Sequence, residues 1–298
     1  MDFQPPFSSE AEAAHTNAMH AAEETGVPAD WNAALDHLQR AAELGHGLAQ
    51  AELAALSGDW ALARAAGARE ALPGTMWESL RRSVDLAGWL TPPRPRVLSA
   101  SPRIATVEGM APPELCDWLI ERARSKLAPA GVYDHETGSQ RVESVRTNSA
   151  CYFPWKESDL LLLALRARMA SVAELPVYAM ESTAVLHYTV GQEFLPHFDF
   201  LDVSKPGHAK DVAGRGQRVL TFLISLSEDY EGGETEFPAL GKRWRGRKGN
   251  ALFFWNVDPD GLMDRRTLHA GLAPTRGEKW LLSQWIRGKP VQGATAEV

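Results

Sequence analysis

Residues 182–199 read STAVLHYTVGQEFLPHFD, an apolar run that ends at a histidine and an aspartate two positions apart. The run is rich in β-branched and aromatic residues, which favours a strand. Similar runs follow at RVLTFLISL (218–226), NALFFWNV (250–257) and KWLLSQWI (279–286), separated by clusters of Gly, Pro and Asp. Several short strands with few helices between them predict a β-sandwich or barrel with helices packed outside.

The N-terminal part of the chain has a different pattern. From Ser9 to about Leu90 alanine is frequent and apolar residues recur at helical spacing, as in AALDHLQRAAEL (33–44). The prolines of TPPRPR (91–96) break any helix at that point. Beyond them, residues 112–127 and 159–175 read as two further helices. The sequence therefore predicts an α+β chain, with a small all-α region ahead of a β-rich one.

Composition limits the classes of function. The 298 residues include 31 Lys and Arg against 38 Asp and Glu, a net charge of −7, which argues against binding to nucleic acid or to anionic membranes. Two cysteines cannot build a disulfide framework or a cysteine-rich zinc site, and this suits a reducing compartment. The start MDFQPPFSSE lacks the basic and apolar segments of a signal peptide. We expect a cytoplasmic protein.

A possible metal site lies in the β-rich part. Residues at i and i+2 of a strand point to the same face, so His197 and Asp199 are expected to converge. Two histidines and one carboxylate on one face of a metal are the ligands of non-haem Fe(II) oxygenases. His269, in RRTLHAGLAP, is the candidate third ligand. Lys279 opens the last strand-like run, and a lysine directed into a barrel requires an anion as partner.

The order of these segments is similar to that of a known family. Residues from about 103 to 288 resemble the prolyl 4-hydroxylase branch of the Fe(II)- and 2-oxoglutarate-dependent oxygenases. The blocks that carry the resemblance occur in register: Tyr188-Thr-Val-Gly191, His197-Phe-Asp199, Arg218-x-x-Thr221, GGETEFP (232–238), GNALFFWN (249–256), His269-Ala-Gly, and Lys279-Trp280 with Trp285 beyond. The resemblance implies a C-terminal double-stranded β-helix, or jelly roll, with flanking helices.

The same resemblance implies roles for single residues. His197, Asp199 and His269 are expected to ligate Fe(II), and Lys279 to pair with the distal carboxylate of the cosubstrate 2-oxoglutarate. Tyr188 and Thr221 are candidate hydroxyl partners of that cosubstrate. Oxygen is the other reactant, succinate and CO2 are released, and ascorbate is a possible further cofactor.

Other residues keep two interpretations. Arg146, in VRTNSACYF, resembles an Arg-Thr-Ser block on the family's substrate side, but Asn148 interrupts the block, and a surface salt bridge is the alternative. Trp285 either lines the substrate groove or fills core. Glu234 and Thr235 are interpreted as turn residues. Residues 203–217 are interpreted as a loop, with a mobile lid as the alternative.

The helical region resembles another family. Residues 26–56 are similar to a Sel-one-like repeat, a relative of the tetratricopeptide repeat, and Asp30-Trp31 is echoed by Asp59-Trp60. A plain alanine-rich extension is the alternative. We expect a helical repeat-like region at 1–90, which is a possible surface for a protein partner. A Pro-rich linker at 91–102, the dioxygenase domain at 103–290 and a flexible tail at 291–298 are expected to follow.

The leading function is hydroxylation of an unactivated C–H bond, with proline in a protein or peptide as the expected substrate. A free amino acid or small metabolite is the alternative substrate for the same core. A scaffold with an inactive β-roll is the non-enzymatic alternative, and four intact site residues argue against it. Nucleic-acid demethylation ranks last because the chain is acidic and carries lysine at 279, where that branch has arginine.

Overall fold

The computed structural model describes residues 8–25, 27–65, 74–133, 140–141 and 144–288. The expected tail at 291–298 lies outside these residues. The chain divides into two compact units, Met1–Pro92 with Ser158–Ser171, and Pro93–Glu157 with Val172–Val298. Among the described helices, none is long and apolar enough to cross a membrane.

Nine α-helices are found within the described residues. They are α1 (Ser9–Ala22), α2 (Trp31–Glu43), α3 (Gly47–Leu56), α4 (Trp60–Ala65), α5 (Gly74–Ser83), α6 (Leu86–Leu90), α7 (Pro113–Arg124), α8 (Leu160–Ala173) and α9 (Pro206–Arg215).

Sixteen strands are found in the same residues. They are β1 (Arg96–Ala100), β2 (Arg103–Val107), β3 (Ala128–Pro129), β4 (Val132–Tyr133), β5 (Gln140–Arg141), β6 (Ser149–Phe153), β7 (Thr183–Tyr188), β8 (Phe194–His197), β9 (Arg218–Ser225), β10 (Tyr230–Gly232), β11 (Thr235–Phe237), β12 (Lys242–Trp244), β13 (Ala251–Trp255), β14 (His269–Gly271), β15 (Pro274–Gly277) and β16 (Lys279–Arg287).

The helical unit is built from small apolar faces and side-chain caps. In α2, Leu35 and Leu38 are buried at helical spacing. The echo between Asp30 and Asp59 has a physical basis, because each aspartate is an N-cap: the Asp30 carboxylate accepts from the Ala33 amide at 3.0 Å, and Asp59 caps α4 in the same way. The expected helices are confirmed, whereas the assignment to a repeat family stays a prediction.

The second unit contains two main antiparallel sheets. The larger has the strand order β1-β2-β13-β9-β16-β7-β6-β3, and the smaller has the order β12-β11-β14-β8. Phe237 of the small sheet meets Phe254 of the large sheet edge to face, with ring centroids 5.2 Å apart. Side chains from both sheets thus form one core, and the predicted α+β class with a jelly-roll core and flanking helices is confirmed.

Two segments differ from the sequence-based expectation. Residues Arg96–Ala100 of the expected Pro-rich linker form β1, which pairs with β2 at the edge of the large sheet. The segment 203–217, expected to be a loop, contains α9. Pro206 is suited to the first turn of a helix, and Gly216 ends α9 at a positive φ of 82°. A glycine-rich composition therefore concealed a short helix.

Candidate active site

The site forms where the small sheet brings two distant histidines together. β8 and β14 are antiparallel neighbours, and His269 lies directly opposite His197 in their register. Their ring centroids are 4.3 Å apart. Side chains directly opposite each other on one face of a sheet are close enough to bind the same ion or small molecule.

Asp199 reaches the same point from outside a strand. The sequence predicts His197 and Asp199 on one strand, but β8 ends at His197 and Asp199 lies in the bend that follows. The Asp199 carboxylate is nevertheless 3.7 Å from His197 Nε2 and 3.5 Å from His269 Nε2. The three donor atoms lie within 4.8 Å of one another. Donor atoms bound to one ion at about 2.1 Å are about 3 Å apart. Small movements of these three side chains would therefore allow all of them to bind the same ion.

Backbone carbonyls orient both imidazoles. His197 Nδ1 lies 2.8 Å from the Leu195 carbonyl oxygen, and His269 Nδ1 lies 3.0 Å from that of Thr267. A ring nitrogen that faces a carbonyl oxygen must carry the proton, so Nε2 keeps its lone pair. Such contacts fix the tautomer and ring orientation of metal-binding histidines.

The charges of the site suit a cation. Burial lowers the pKa of His197 to about 3, and the adjacent His269 adds to this. For Asp199, burial alone would raise the pKa, but the two histidines and a hydrogen bond from Thr221 outweigh it and leave the pKa below its usual value. Near neutral pH, a neutral imidazole at His197 and an ionised carboxylate at Asp199 are therefore available as ligands.

Thr221 supports the carboxylate. Its hydroxyl donates to Asp199 Oδ2 at 2.8 Å, and the Asn256 amide in turn donates to the Thr221 hydroxyl oxygen at 3.0 Å. This departs from the expectation that Thr221 contacts the cosubstrate. Asn256, which follows directly after the aromatic strand β13 and closes the block GNALFFWN (249–256), was not among the predicted site residues.

Lys279 presents a buried positive charge. Its side chain is 2% exposed, and among the described residues its Nζ has no hydrogen-bond partner. Lys279 is the cross-strand neighbour of Tyr188, and Nζ lies 4.8 Å from the centroid of the tyrosine ring. Burial lowers the pKa of Lys279 to about 8, although Glu234 works against this, and burial raises the pKa of Tyr188 to about 12. An uncompensated buried ammonium is costly, so this group is suited to an anion.

Thr235 was assigned to a turn, and this interpretation was wrong. It lies on β11, is 3% exposed, and lines the same cavity as Lys279. Phe237, two residues along the same strand, faces the core. Because side chains at i and i+2 share a face, this alternation was the available signal that Thr235 also points inward.

Arg146 and Trp285 both line the cavity. Arg146 is 5% exposed, which excludes the surface salt bridge, and it donates to the Asn148 side chain and to the Gly131 carbonyl oxygen. Trp285 is half-buried, and the Arg218 guanidinium lies 3.5 Å from its ring centroid. The Trp285 indole N–H is buried and has no partner among the described residues.

The cavity connects these groups. Alternate residues of β16 face it, from Lys279 to Trp285, over six residues and therefore about 20 Å. Its walls are completed by apolar and polar side chains from both sheets. The lining residues are Arg146, Leu186, Tyr188, Phe194, His197, Asp199, Leu223, Thr235, His269, Gly271, Lys279, Leu281, Ser283 and Trp285.

These residues fit an iron ion and a 2-oxoglutarate molecule. Two imidazoles and one carboxylate on one side of a metal leave the other positions open, as in non-haem Fe(II) oxygenases. The orphaned ammonium of Lys279 in the same cavity fits one carboxylate of a diacid. The arrangement can hold a metal and orient an anionic cosubstrate next to it.

The chain is similar to several known proteins. Residues 183–287 match the model of the 2OG-Fe(II) oxygenase superfamily. The chain is 34% identical to prolyl 4-hydroxylase 1 of Arabidopsis thaliana over 210 residues, 66% of this chain and 72% of that protein. It is 32% identical to probable prolyl 4-hydroxylase 7 of the same plant over 225 residues, 68% of each. A viral collagen prolyl hydroxylase from Paramecium Bursaria Chlorella virus-1, solved with 2OG, has 27% identity and a TM-score of 0.48, covering 61% of this chain and 94% of that one.

Proposed function

Because the chain belongs to the prolyl 4-hydroxylase family of Fe(II)- and 2-oxoglutarate-dependent dioxygenases, we propose that it hydroxylates a prolyl residue in a protein or peptide. Prolyl 4-hydroxylase 1 and probable prolyl 4-hydroxylase 7, each covered over more than two thirds of its length, bear this activity in their names. Fe(II), 2-oxoglutarate and O2 are its cofactor and cosubstrates, and succinate and CO2 are released with the hydroxylated product.

One observation carries the proposal. The Lys279 ammonium, which has no hydrogen-bond partner within the described part of the chain, lines the same cavity as His197, Asp199 and His269. A metal site alone is compatible with many reactions, but a metal site with a buried cation beside it is suited to a chelating keto diacid.

We assign the residues as follows. His197, Asp199 and His269 hold the iron through Nε2 and carboxylate atoms, and Lys279 binds the distal carboxylate of 2-oxoglutarate. Tyr188 and Thr235, which line the cavity with Lys279, are the hydroxyl partners of that carboxylate. When bound, Fe(II) and 2-oxoglutarate supply the oxidising chemistry: one oxygen atom of O2 enters the substrate C–H bond and the other enters succinate.

The chain itself orients the metal ligands and lines the cavity with apolar side chains. The Leu195 and Thr267 carbonyls hold the two imidazoles in the tautomer that binds metal. Leu186, Leu223 and Leu281 give the cavity apolar walls that limit water near the reacting groups. Trp285 is proposed to face the substrate, because six residues of strand separate it from Lys279 and a short diacid cannot reach both. Arg146, which lines the same cavity, is proposed to face the substrate as well.

The substrate class is tested by mass spectrometry. Proline-containing peptides and free amino acids are incubated with the protein, Fe(II), 2-oxoglutarate and ascorbate. The proposal predicts a gain of one oxygen on proline in a peptide, with an equal amount of succinate. His197→Ala is the negative control. Oxygen gain only on a free amino acid would identify the alternative substrate, and a wild-type protein that binds metal yet forms no succinate with any substrate would contradict the proposal.

A further inference from the structure

Asp199 lacks the backbone support that the two histidines have. His197 and His269 lie on paired strands, so their main chains are fixed by the β8–β14 ladder. Asp199 lies past the end of β8. The chain then makes an excursion through α9 and returns at Gln217, immediately before β9. A ligand at the start of such an excursion needs another means of fixing its position.

The Gln217 side chain joins the two ends of this excursion, residues 201–217; we call the contact between Leu201 and Gln217 its neck. The Gln217 side-chain oxygen accepts from the Leu201 amide at 2.7 Å, and its side-chain nitrogen donates to the Leu201 carbonyl oxygen at 2.7 Å. The same oxygen also accepts from the Arg218 amide at 2.9 Å. An antiparallel strand partner exchanges the same pair of hydrogen bonds with the residue opposite. The Gln217 amide group thus takes the place of a backbone strand partner for Leu201.

The neck and the carboxylate are held from one short stretch of chain, Gln217 and the strand β9 that follows it. Gln217 grips the main chain two residues after Asp199, while Thr221 on β9 donates to the carboxylate itself. Leu201 is 4% exposed, so its backbone groups have little access to water if the clamp is lost. Gln217 therefore fixes the backbone path next to Asp199, and Thr221 of β9 fixes its side chain.

The C-terminal part of the excursion, α9 and Gly216, is held by separate contacts. Arg287 donates to the Gly216 carbonyl oxygen at 2.7 Å and pairs with Asp211 of α9 at 3.0 Å. A change at Gln217 alone leaves these contacts in place. The two effects can therefore be separated: Arg287 holds α9, and Gln217 holds the segment that carries Asp199.

We propose that Gln217 is a positioning residue for the metal site, which holds Asp199 in place by clamping Leu201. This inference rests on the proposed function, because it takes Asp199 as a metal ligand. It predicts that loss of the clamp weakens metal binding itself. Outer-sphere partners that contact a metal ligand directly typically contribute about 10- to 100-fold in affinity. Gln217 acts on Asp199 through Leu201, so we expect the lower end of this range, about tenfold, for the loss of both Leu201 hydrogen bonds.

The experiment measures Mn(II) affinity by electron paramagnetic resonance, in the absence of oxygen, together with the unfolding temperature. Gln217→Met removes both hydrogen bonds at similar volume and is expected to weaken Mn(II) binding about tenfold. Gln217→Glu keeps the acceptor for the Leu201 amide but places an oxygen against the Leu201 carbonyl oxygen, so it should also weaken Mn(II) binding. Gln192→Met is the matched control, since Gln192 accepts from the Thr189 amide in a turn outside the neck, and it should leave Mn(II) affinity unchanged.

The outcomes separate this inference from the proposed function. Asp199→Ala must abolish Mn(II) binding if Asp199 is a ligand; if it does not, the metal site itself is wrong. If Asp199→Ala abolishes binding while Gln217→Met and Gln217→Glu bind Mn(II) like the wild type, the clamp has no positioning role. A fall in unfolding temperature with unchanged Mn(II) affinity would likewise overturn the inference. If Gln217→Met does not fold, Gln217→Glu alone decides by the same criterion.

Discussion

His197 and His269 are direct cross-strand partners in the antiparallel pair of β8 and β14. This register places both imidazoles against the Asp199 carboxylate. A shift of one residue would turn one histidine to the opposite face of the sheet. The site therefore depends on the register of a short strand pair as much as on the identity of its ligands.

The first prediction concerns Lys279. Lys279→Met removes the buried ammonium and keeps most of the side-chain volume. Losing one partner of a buried charge pair costs about 2–5 kcal/mol, so the KM for 2-oxoglutarate should rise by about thirtyfold or more. Mn(II) affinity without cosubstrate should not change. An unchanged KM for 2-oxoglutarate would show that another group binds the diacid.

The second prediction concerns pH. Burial lowers the pKa of Lys279 to about 8, so in the empty site the ammonium loses its proton as the pH rises through that value. Binding of the dianion requires the charged form. Its dissociation constant, measured by calorimetry, should be flat below about pH 8 and should rise about tenfold per pH unit above it. Lys279→Arg stays charged and should remove this rise. A wild-type constant that stays flat to pH 10 would show that the pKa of Lys279 is not lowered in the empty site.

The third prediction separates two threonines. Thr221 donates to Asp199, whereas Thr235 lines the cavity with Lys279. Thr221→Val should weaken Mn(II) binding about tenfold, as expected for an outer-sphere partner of a metal ligand. Thr235→Val should leave Mn(II) affinity intact and raise the KM for 2-oxoglutarate. The reverse pattern would restore Thr221 to the cosubstrate side.

The fourth prediction concerns the helical unit. His15 and His46 stack with centroids 4.4 Å apart, His15 lies 3.0 Å from Glu52, and His46 Nε2 lies 3.1 Å from Glu12. His46 Nδ1 accepts from the Ala49 amide and so caps α3. Burial and the neighbouring His15 lower the pKa of His46 below 6.5. Since protonation at Nδ1 would remove this cap, the capped state requires a neutral His46.

The direction of the pH effect on stability follows from the difference in proton binding between the folded and unfolded states. At pH values between the lowered pKa of folded His46 and 6.5, His46 binds more protons in the unfolded state than in the folded state. Its contribution to the free energy of unfolding is therefore complete above pH 6.5 and is lost as the pH falls. The slope is at most about 1.4 kcal/mol per pH unit. His46→Asn keeps a capping acceptor and does not titrate. When the pH is lowered from 6.5 to 5, amide hydrogen exchange in α3, corrected for intrinsic rates, should therefore accelerate less in this variant than in the wild type. The exposed His37→Gln is the control, and equal acceleration in all three proteins would contradict the prediction.

Much of the site follows from local pattern. Runs rich in β-branched and aromatic residues predicted the strands that carry Tyr188, Lys279 and Thr221, and the spacing of His197 and Asp199 predicted a shared metal. The structure brings His269 to them through strand pairing, which no local pattern encodes. Sequence could nominate this histidine, but only the sheet register shows it beside His197.

The remaining differences come from tertiary context. Thr221 and Thr235 both lie on strands and are both buried, and only the packing of the strands shows that one meets Asp199 and the other meets the cavity. Arg146 reads as a surface residue by composition, yet a side-chain amide and a backbone carbonyl satisfy it in a buried position. The clamp by Gln217 has no sequence signature, because it replaces a strand partner by a single side chain.

The most direct measurement is diffraction from crystals grown without oxygen in the presence of Mn(II) and 2-oxoglutarate. The account predicts a single anomalous peak bonded to His197 Nε2, the Asp199 carboxylate and His269 Nε2, with the distal carboxylate of 2-oxoglutarate on Lys279 Nζ. A metal bound away from these three side chains, or a diacid whose distal carboxylate lies away from Lys279, would contradict it.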